Sequence, residues 1–560
     1  MNKITNKAQS SFEHSSYPIL YRDIVQTEEF VQMQDGAKLR TIIVRPKGAH
    51  ITPCILSRSC YHHDETIYLQ LAEQYALRGI SFVIQYCRGT GGSEGDWQPN
   101  VNERSDGKTT VDWLASQPWA GALGYLGSSY LALTGWIIAD ILPPQMKTMY
   151  LSLYGTDRHT SAYKDGLFRH DVLTAWAMGN AGFAIDADYT QSCLYRPHAQ
   201  VDTNLWGKQL DWYRDWVTNP SQTAPYWQTG MWKTLQDIPA KVNIPILISE
   251  GWYDHHLGSA IKSYNALGSK ATSHFIIGPW NHWFEAPLEN DQGKNYECND
   301  ILRAFEWFYN ILVREETPKA KVAKYVIKGD YWIESDKLVN AEQKGEIFYL
   351  SGGYNGLVYD KDEIIEGRQS YVYDPENPIA SHGGETLLKS KGKEGSRLQP
   401  KPNYRDDVIS FVSAPLKEDI VIDGEIKINL QVSSTAKDTA FVAKIMDVDE
   451  KGNAYNIRGA VTTLAYRNNS DVPQKYEPNS VVDIVMSTWH IAYKLQRGHR
   501  LRIDIQSSDF PQYAVHTNTE GVWSEQVSTE VATQTVFCGG GAFVVLPCLF
   551  LGGSYVTIDA

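Results

Sequence analysis

A serine at a predicted strand-to-helix turn is the first residue of this chain that could do chemistry. It lies in the sequence GSSYL (127–131). A serine hydroxyl is a weak nucleophile, so it needs a neighbouring base, a carboxylate that orients the base, and donors for the developing oxyanion. A small residue two positions before the nucleophile makes room for a tight turn, which favours Ser129, preceded by Gly127, over Ser128, preceded by Leu126. The usual glycine two positions after the nucleophile is absent, and a structural serine in such a turn would leave the same pattern.

Two further residues complete a candidate triad in the order Ser, Asp, His. Asp254 follows the predicted strand IPILISE, and His282 follows the predicted strand SHFIIG. An aspartate often caps a turn, and a single histidine is usually structural. Three such residues at three strand ends nevertheless predict Ser129 as the nucleophile, His282 as the base and Asp254 as the residue that orients the histidine.

An oxyanion hole needs two hydrogen-bond donors. The backbone N–H of Tyr130 is well placed, because Tyr130 follows the nucleophile. The second donor is expected in the loop after an earlier strand, where Tyr61 follows the predicted strand PCIL and carries a phenolic hydroxyl. A buried tyrosine in the core would have the same sequence signature.

The elements around these residues must bring three strand ends to one edge of a sheet. After a hairpin whose turn is Asp35-Gly36, strand and helix patterns alternate up to about residue 150, which favours a parallel sheet with crossover helices. Strand runs vanish between about 155 and 240, and the sheet pattern returns with IPILISE and SHFIIG. Beyond about 345, short alternating runs separated by turns predict a sandwich or jelly roll.

The residues therefore predict an α/β protein with an α/β-hydrolase core, a helical insertion and an all-β C-terminal sandwich or jelly roll. The predicted division is core at 1–150, cap at 151–240, core again at 241–345 and jelly roll at 346–560. The polar segment 384–404 is predicted to be a long surface loop.

The chain resembles the CocE/NonD acyl-esterase family, which includes cocaine esterase, α-amino-acid ester hydrolases and X-Pro dipeptidyl-peptidases. The matching segments are VQMQDGAKLRTIIVRP (31–46), Tyr61, Arg88-Gly89 with GSEG (92–95), GSSYL (127–131), GWYD (251–254), GPWNH (278–282), YVYDPENP (371–378), LQVSSTAKDTAFVAKIMDV (430–448) and SDFP (508–511). The resemblance implies an α/β-hydrolase core with an inserted helical cap and a C-terminal all-β jelly roll. It also implies a triad of Ser129, Asp254 and His282, and an oxyanion hole made by the Tyr61 hydroxyl and the Tyr130 amide. Leu131 in place of glycine is similar to the cocaine-esterase branch, where the small residue falls one position later, here at Ala132.

The substrate pocket departs from the relatives. Amino-acid ester hydrolases place carboxylates two and three residues after the triad acid, where they bind the substrate amine, but this chain has His256 and Leu257 there. Cocaine esterase has an aromatic acyl-pocket residue at the position of His256. We therefore assign His256 and Leu257 to the pocket and expect neutral acyl esters to be preferred over α-amino esters, unless a cap acid such as Asp165, Asp171 or Asp186 replaces the missing carboxylates.

The composition restricts partners and cofactors. The net charge of −13 disfavours nucleic acid and anionic membranes, and no apolar stretch is long enough to span a bilayer. The N-terminal residues lack the apolar core of a secretory signal, and seven cysteines without a C-x-x-C pair indicate free thiols in the cytoplasm. We expect a small-molecule ester as substrate, no cofactor and no metal, since adjacent histidines (62–63 and 255–256) rarely bind one zinc ion. A homo-oligomer is left open.

Two alternative functions follow from the same residues. The first is a peptidase that releases X-Pro dipeptides, which would need a carboxylate or carbonyl to bind a free N-terminus. The second is a sugar- or partner-binding protein that uses its jelly roll on an inactive hydrolase, against which the complete triad argues.

Overall fold

The computed structural model describes residues 8–13, 15–289, 293–296, 299–339, 344–385, 388–389, 391–549 and 556–558. None of the helices in these ranges is long and apolar enough to cross a membrane.

Strands between residues 24 and 335, together with one short strand near the C-terminus, form an eleven-stranded sheet. Its strands are β1 (Ile24–Gln32), β2 (Lys38–Pro46), β3 (Thr52–Ser59), β4 (Ser81–Tyr86), β5 (Ala120–Ser128), β6 (Met146–Ser152), β9 (Ile246–Gly251), β10 (His274–Gly278), β11 (Lys321–Val326), β12 (Tyr331–Ser335) and β26 (Val556–Ile558). They lie side by side in the order β1-β2-β4-β3-β5-β6-β9-β10-β11-β12-β26. The strands from β4 to β11 along this order pair in parallel. Strand β4, FVI flanked by polar residues, is buried at every position, as expected for a parallel strand covered on both faces.

Helices connect these strands and cover the sheet. The predicted helix at 66–78 is α1 (Glu65–Leu77), and α2 (Glu103–Ala115), α3 (Tyr130–Trp136), α11 (Leu257–Ala266) and α12 (Asp300–Phe308) are the others of this group. The alternation of strands and helices confirms the predicted α/β-hydrolase core.

The segment between β6 and β9 contains short helices and two two-residue strands. They are α4 (Arg158–Ala162), β7 (Tyr163–Lys164), β8 (Leu167–Phe168), α5 (Leu173–Asn180), α6 (Tyr189–Leu194), α7 (Val201–Asn204), α8 (Asp211–Thr218), α9 (Pro225–Gln228) and α10 (Gly230–Asp237). Tryptophans from this segment, among them Trp216 and Trp227, are fully buried in the main hydrophobic core. Packing of these large rings, rather than helix length, holds the segment against the sheet.

The remaining strands form a thirteen-stranded, mostly antiparallel sheet, as predicted for an all-β C-terminal part. They are β13 (Lys344–Ser351), β14 (Gly356–Val358), β15 (Gly367–Tyr373), β16 (Ile409–Ser413), β17 (Ile420–Gly424), β18 (Lys427–Ser434), β19 (Ala440–Val448), β20 (Ala454–Thr463), β21 (Val482–Ser487), β22 (Ile491–Leu495), β23 (Arg500–Gln506), β24 (Ala532–Cys538) and β25 (Phe543–Cys548).

The all-β part packs closely on the α/β part. The Trp489 ring lies against α11, where a Cβ atom added to Gly258 would come within 2.6 Å of it. Arg169 lies 3.5 Å from Glu385 of the polar segment 384–404. The prediction of a surface loop for this segment is therefore wrong in part: Glu385 and Glu394 are buried, because their carboxylates find partners in Arg169 and Asn281.

Candidate active site

The turn between β5 and α3 presents Ser129 above the end of the sheet. Ser129 has φ +56° and ψ −125°, a conformation that is strained for a residue with a side chain. A Cβ atom at Gly127 would lie 2.1 Å from the carbonyl oxygen of Leu131, so only glycine fits there. The backbone N–H of Ser129 donates to Ser152 of the neighbouring strand β6 at 2.9 Å, which fixes the turn against the sheet.

Asp254 and His282 reach the same edge because they follow adjacent parallel strands. Strands β9 and β10 pair with Gly251 opposite Gly278, so the two loops begin at the same level. The Nδ1 atom of His282 lies 2.5 Å from Asp254 Oδ2, and its Nε2 atom lies 2.9 Å from Ser129 Oγ. The structure thus brings the three predicted triad residues together in a hydrogen-bonded chain.

Asp254 is fully buried, and its surroundings keep it ionised. Burial alone would raise the pKa of its carboxyl group, but the His282 and His255 rings and the hydrogen bonds from His282 and the His256 amide outweigh burial and lower that pKa. Glu250, one strand position before Gly251, shows the opposite shift, because burial and the charge of Asp254 raise its pKa well above the usual value. Glu250 therefore keeps its proton to a higher pH than an ordinary glutamate, whereas Asp254 loses its proton at a lower pH than an ordinary aspartate.

Two more histidines surround the base. The His255 ring stacks on His282 at 4.3 Å between centroids, and the His256 ring lies 5.8 Å from it. Burial, followed by the proximity of His282, lowers the pKa of both His255 and His256 well below 6.5. Both rings are neutral at neutral pH, so neither adds a positive charge to the site.

Tyr61 and Tyr130 are neighbours, with ring centroids 6.5 Å apart; Tyr130 lines the cavity at Ser129, and Tyr61 lines the adjacent open cleft. As the first residue of α3, Tyr130 has a backbone N–H that the helix itself does not use. The Tyr61 hydroxyl accepts a hydrogen bond from the indole N–H of Trp176 at 2.9 Å, which leaves its own proton free to donate. Burial raises the pKa of Tyr61 well above 10, so the hydroxyl keeps that proton.

A narrow cavity opens at Ser129 and offers about 30 Å³ to the centres of water-sized molecules. Core loops, the segment between β6 and β9, and the all-β part all contribute to it. Its lining residues are Asn100, Ser129, Tyr130, Tyr154, Arg158, Val172, Trp176, His255, His256, His282 and Leu388.

The predicted pocket residues differ in their positions. His256 lines the cavity, and its Nδ1 atom is hydrogen-bonded to Ser161 Oγ at 2.8 Å. Leu257 begins α11, is fully buried and is not among the described residues that line the cavity. Position 256 faces the site while position 257 points into the core, because the chain enters a helix between them.

The cap acids do not replace the missing carboxylates in this structure. Asp165 lies 3.6 Å from Lys164, Asp171 lies 3.6 Å from Arg169, and Asp186 is exposed. Burial raises the pKa of Asp171 to about 8. None of the three is among the described residues that line the cavity.

The sequence pattern did not predict that residues between β6 and β9 line the cavity. Arg158, Val172 and Trp176 line the cavity, although this segment matches the family least. One signal was available: Arg158 follows the carboxyl end of β6 by six residues, and parallel-sheet sites form at such ends.

One histidine pair takes part in a cluster that could hold a metal ion. The ligand atoms of Asp254, His255 and His282 lie within 4.8 Å of one another. Asp254 and His282 already share a hydrogen bond, and the second nitrogen of His282 is bonded to Ser129, so a metal would displace the triad contacts. His62 and His63 lie in a separate open cleft next to Tyr61.

Comparison with known proteins identifies both halves of the chain. Residues 35–283 match the family model of the X-Pro dipeptidyl-peptidase (S15 family), and residues 313–542 match that of the X-Pro dipeptidyl-peptidase C-terminal non-catalytic domain. The predicted resemblance to the family that includes the X-Pro dipeptidyl-peptidases is thereby confirmed.

Individual relatives align along nearly the whole chain. Cocaine esterase of Rhodococcus sp. (strain MB1 Bresler) is 26% identical over 558 residues, which are 91% of this chain and 95% of the relative. An aminopeptidase from the marine sediment archaeon Thaumarchaeota archaeon has a TM-score of 0.79 at 22% identity, covering 96% of this chain and 98% of its own. A selenomethionine-labelled α-amino acid ester hydrolase has the same TM-score and identity, with coverage of 95% and 98%. The two solved structures establish the fold.

Proposed function

Because the chain is a serine hydrolase of the S15 type, we propose that it cleaves carboxylic esters through a covalent acyl-enzyme on Ser129. The observation that carries this proposal is the hydrogen-bonded chain from Ser129 Oγ through His282 to Asp254, with distances of 2.9 Å and 2.5 Å. This arrangement is the one a serine needs to act as a nucleophile at neutral pH.

In the proposed reaction, His282 Nε2 takes the Ser129 proton while Oγ attacks the ester carbonyl. The oxyanion that forms accepts hydrogen bonds from the Tyr61 hydroxyl and the Tyr130 amide. The imidazolium, stabilised by the ionised Asp254, then gives its proton to the departing alkoxide, which leaves as the alcohol. A water molecule, deprotonated by His282, attacks the acyl-enzyme and releases the acid. This chemistry requires no cofactor.

An ester is the favoured substrate for two reasons. The cocaine esterase relative aligns with almost the whole chain. An X-Pro dipeptidyl-peptidase must bind the ammonium group of a free N-terminus, and burying that cation without a negative partner is costly. The described residues that line the cavity include neither aspartate nor glutamate.

The predicted division of the chain into core, cap and jelly roll is compatible with ester hydrolysis. We propose that residues 151–240 form the cap over the site, supported by Arg158, Val172 and Trp176, which line the cavity. The jelly-roll part contributes Leu388 to the same lining. We also propose a cytoplasmic location, supported by five buried cysteines of the described residues, at positions 54, 60, 87, 193 and 538, which form no disulfide.

The test combines covalent labelling with a substrate panel. A fluorophosphonate probe should label Ser129, and Ser129→Ala should abolish both labelling and hydrolysis, whereas the neighbouring control Ser128→Ala should retain both. Purified protein should cleave p-nitrophenyl esters of short acids faster than Gly-Pro-p-nitroanilide. Labelling of another serine would refute the assignment of Ser129, and faster cleavage of the anilide would favour the dipeptidyl-peptidase alternative.

A further inference from the structure

The cavity beside Ser129 contains a buried positive charge. Arg158 is 7% exposed and is the only aspartate, glutamate, lysine or arginine among the described residues of the cavity lining. The neighbouring His255 and His256 rings are neutral, so the charge of Arg158 dominates the electrostatics of the pocket.

The guanidinium group of Arg158 is held in place by aromatic rings. It lies over the Trp216 ring at 4.5 Å from the centroid and 5.9 Å from the Trp232 centroid. A cation–π contact occupies the flat face of the guanidinium and leaves its N–H groups, which point outward from the edge, available to an acceptor. The rings thus fix the orientation of the cation without neutralising it.

The charge of Arg158 has no negative partner in the described part of the chain. No carboxylate lies within 4.0 Å of it, and its Nε atom is buried without a hydrogen-bond acceptor. The nearest acid in sequence, Asp157, instead accepts from Lys262 at 2.8 Å and from Thr160. The hydroxyl of Tyr154, which also lines the cavity, is buried next to Arg158, and the Arg158 cation offsets part of the rise in the pKa of Tyr154 that burial causes.

A second buried arginine near the site, Arg169, has a negatively charged partner within the chain. Arg169 donates to the carbonyl oxygen of His255 at 2.8 Å and lies 3.5 Å from the carboxylate of Glu385. It is fully buried and does not line the cavity. The contrast indicates that the partner of Arg158 comes from outside the chain.

We propose that Arg158 binds a carboxylate on the acyl group of the substrate, so that the enzyme prefers monoesters of short dicarboxylic acids. The proposal rests on the ester hydrolysis proposed above and specifies its substrate. A carboxylate can accept two parallel hydrogen bonds from a guanidinium, and the Tyr154 hydroxyl can donate a third. Binding would also remove the cost of an unpaired buried charge.

The size of the cavity limits the acyl group. Its volume of about 30 Å³ has room for about two water-sized groups, so only a short acyl chain is expected to fit. Monoethyl succinate has a short acyl group that ends in a carboxylate, because only two methylene groups separate its carboxylate from the ester carbonyl. Ethyl succinamate has nearly the same shape but carries an uncharged amide in place of the carboxylate, so it is the matched neutral control.

The first experiment compares kcat/KM for these two esters, with ester cleavage followed by proton release in a pH-stat. We expect the unmodified enzyme to prefer monoethyl succinate by at least about tenfold, the value of one charge-assisted hydrogen bond. Arg158→Met should abolish or reverse this preference, and Arg158→Lys, which keeps the charge, should retain part of it. Arg78→Met is the matched control, because Arg78 is also nearly buried and lies over the Phe12 ring, outside the cavity; its preference should equal that of the unmodified enzyme.

A second experiment separates this proposal from the proposed catalysis. Calorimetry on Ser129→Ala should show monoethyl succinate binding at least about tenfold more tightly than ethyl succinamate, and the additional change Arg158→Met should remove the difference. If esters are not cleaved but this binding difference is found, the proposed function fails while the carboxylate site stands. Equal kcat/KM and equal binding for the two esters, or a preference that survives in Arg158→Met, would overturn the carboxylate site and leave the esterase proposal intact.

Discussion

Tyr61→Phe tests the oxyanion hole most directly, because it removes one oxygen and keeps the ring. In the structure, the lost hydroxyl is the acceptor for Trp176 Nε1 at 2.9 Å and the proposed donor to the oxyanion. The first role concerns folding and the second concerns the transition state, so the two effects can be measured separately.

The expected magnitudes differ. Losing the acceptor of an indole N–H costs up to about 1–3 kcal/mol when the group is fully buried. Trp176 is only half-buried and lines the cavity, where water can replace the hydroxyl, so we expect about 1 kcal/mol of unfolding free energy. Removing one oxyanion donor lowers kcat by about 10²–10³, or roughly 2.7–4 kcal/mol of activation free energy, with a modest change in KM.

The assay is steady-state hydrolysis of p-nitrophenyl acetate together with urea unfolding of the same preparations. Tyr68→Phe is the control, since the Tyr68 hydroxyl accepts from Ser59 at 3.3 Å and has no proposed part in the oxyanion hole. It should turn over substrate at the normal rate. If Tyr61→Phe kept a kcat within about threefold of the unmodified enzyme, Tyr61 would be a packing residue and the second donor would have to be sought elsewhere.

Three further predictions concern specificity, pH and the turn. With His256 neutral and Arg158 positive, neutral acyl esters should exceed matched α-amino esters in kcat/KM near pH 8, and a preference for the free amine would contradict the assigned pocket. Because the pKa of Glu250 is raised in the folded protein, its bound proton stabilises the fold fully when the pH is below the pKa of Glu250 in the unfolded chain. This stabilisation is lost as the pH rises toward the pKa of Glu250 in the folded protein. Glu250→Gln should therefore gain in unfolding free energy relative to the unmodified protein as the pH rises above about 4.3, the pKa of an unfolded glutamate, whereas a pH-independent difference would show that Glu250 does not titrate in this way. Gly127→Ala, whose Cβ would lie 2.1 Å from a backbone oxygen, should lose fluorophosphonate labelling, while normal labelling would show that the turn can relax.

The sequence was sufficient to place the triad because strand ends in a parallel sheet follow from hydrophobic runs. IPILISE and SHFIIG are short, apolar and bounded by polar residues, so their carboxyl ends, and with them Asp254 and His282, could be located to within a residue. The turn at Ser129 could be located because Gly127 is the one small residue that the local geometry admits.

The pocket could not be predicted in the same way. Arg158 and Trp176 lie on helices of five and eight residues whose positions depend on tertiary packing of aromatic rings rather than on a periodic pattern. Leu388 lies in a polar segment that the composition assigns to the surface, and its place at the cavity depends on ion pairs such as that of Glu385 with Arg169. Contacts between residues distant in the chain leave no local signature.

The close fit between the all-β part and the α/β part bears on how such enzymes diversify. Trp489 occupies the space that a side chain at Gly258 would need, and Leu388 forms part of the cavity wall. Recombination that exchanged the C-terminal half between homologues would therefore change the substrate range at the same time, and it would succeed only where the incoming half matched the glycine on α11. The catalytic residues and one part of the cavity wall are thus inherited on separate stretches of the gene, but they are constrained to evolve together.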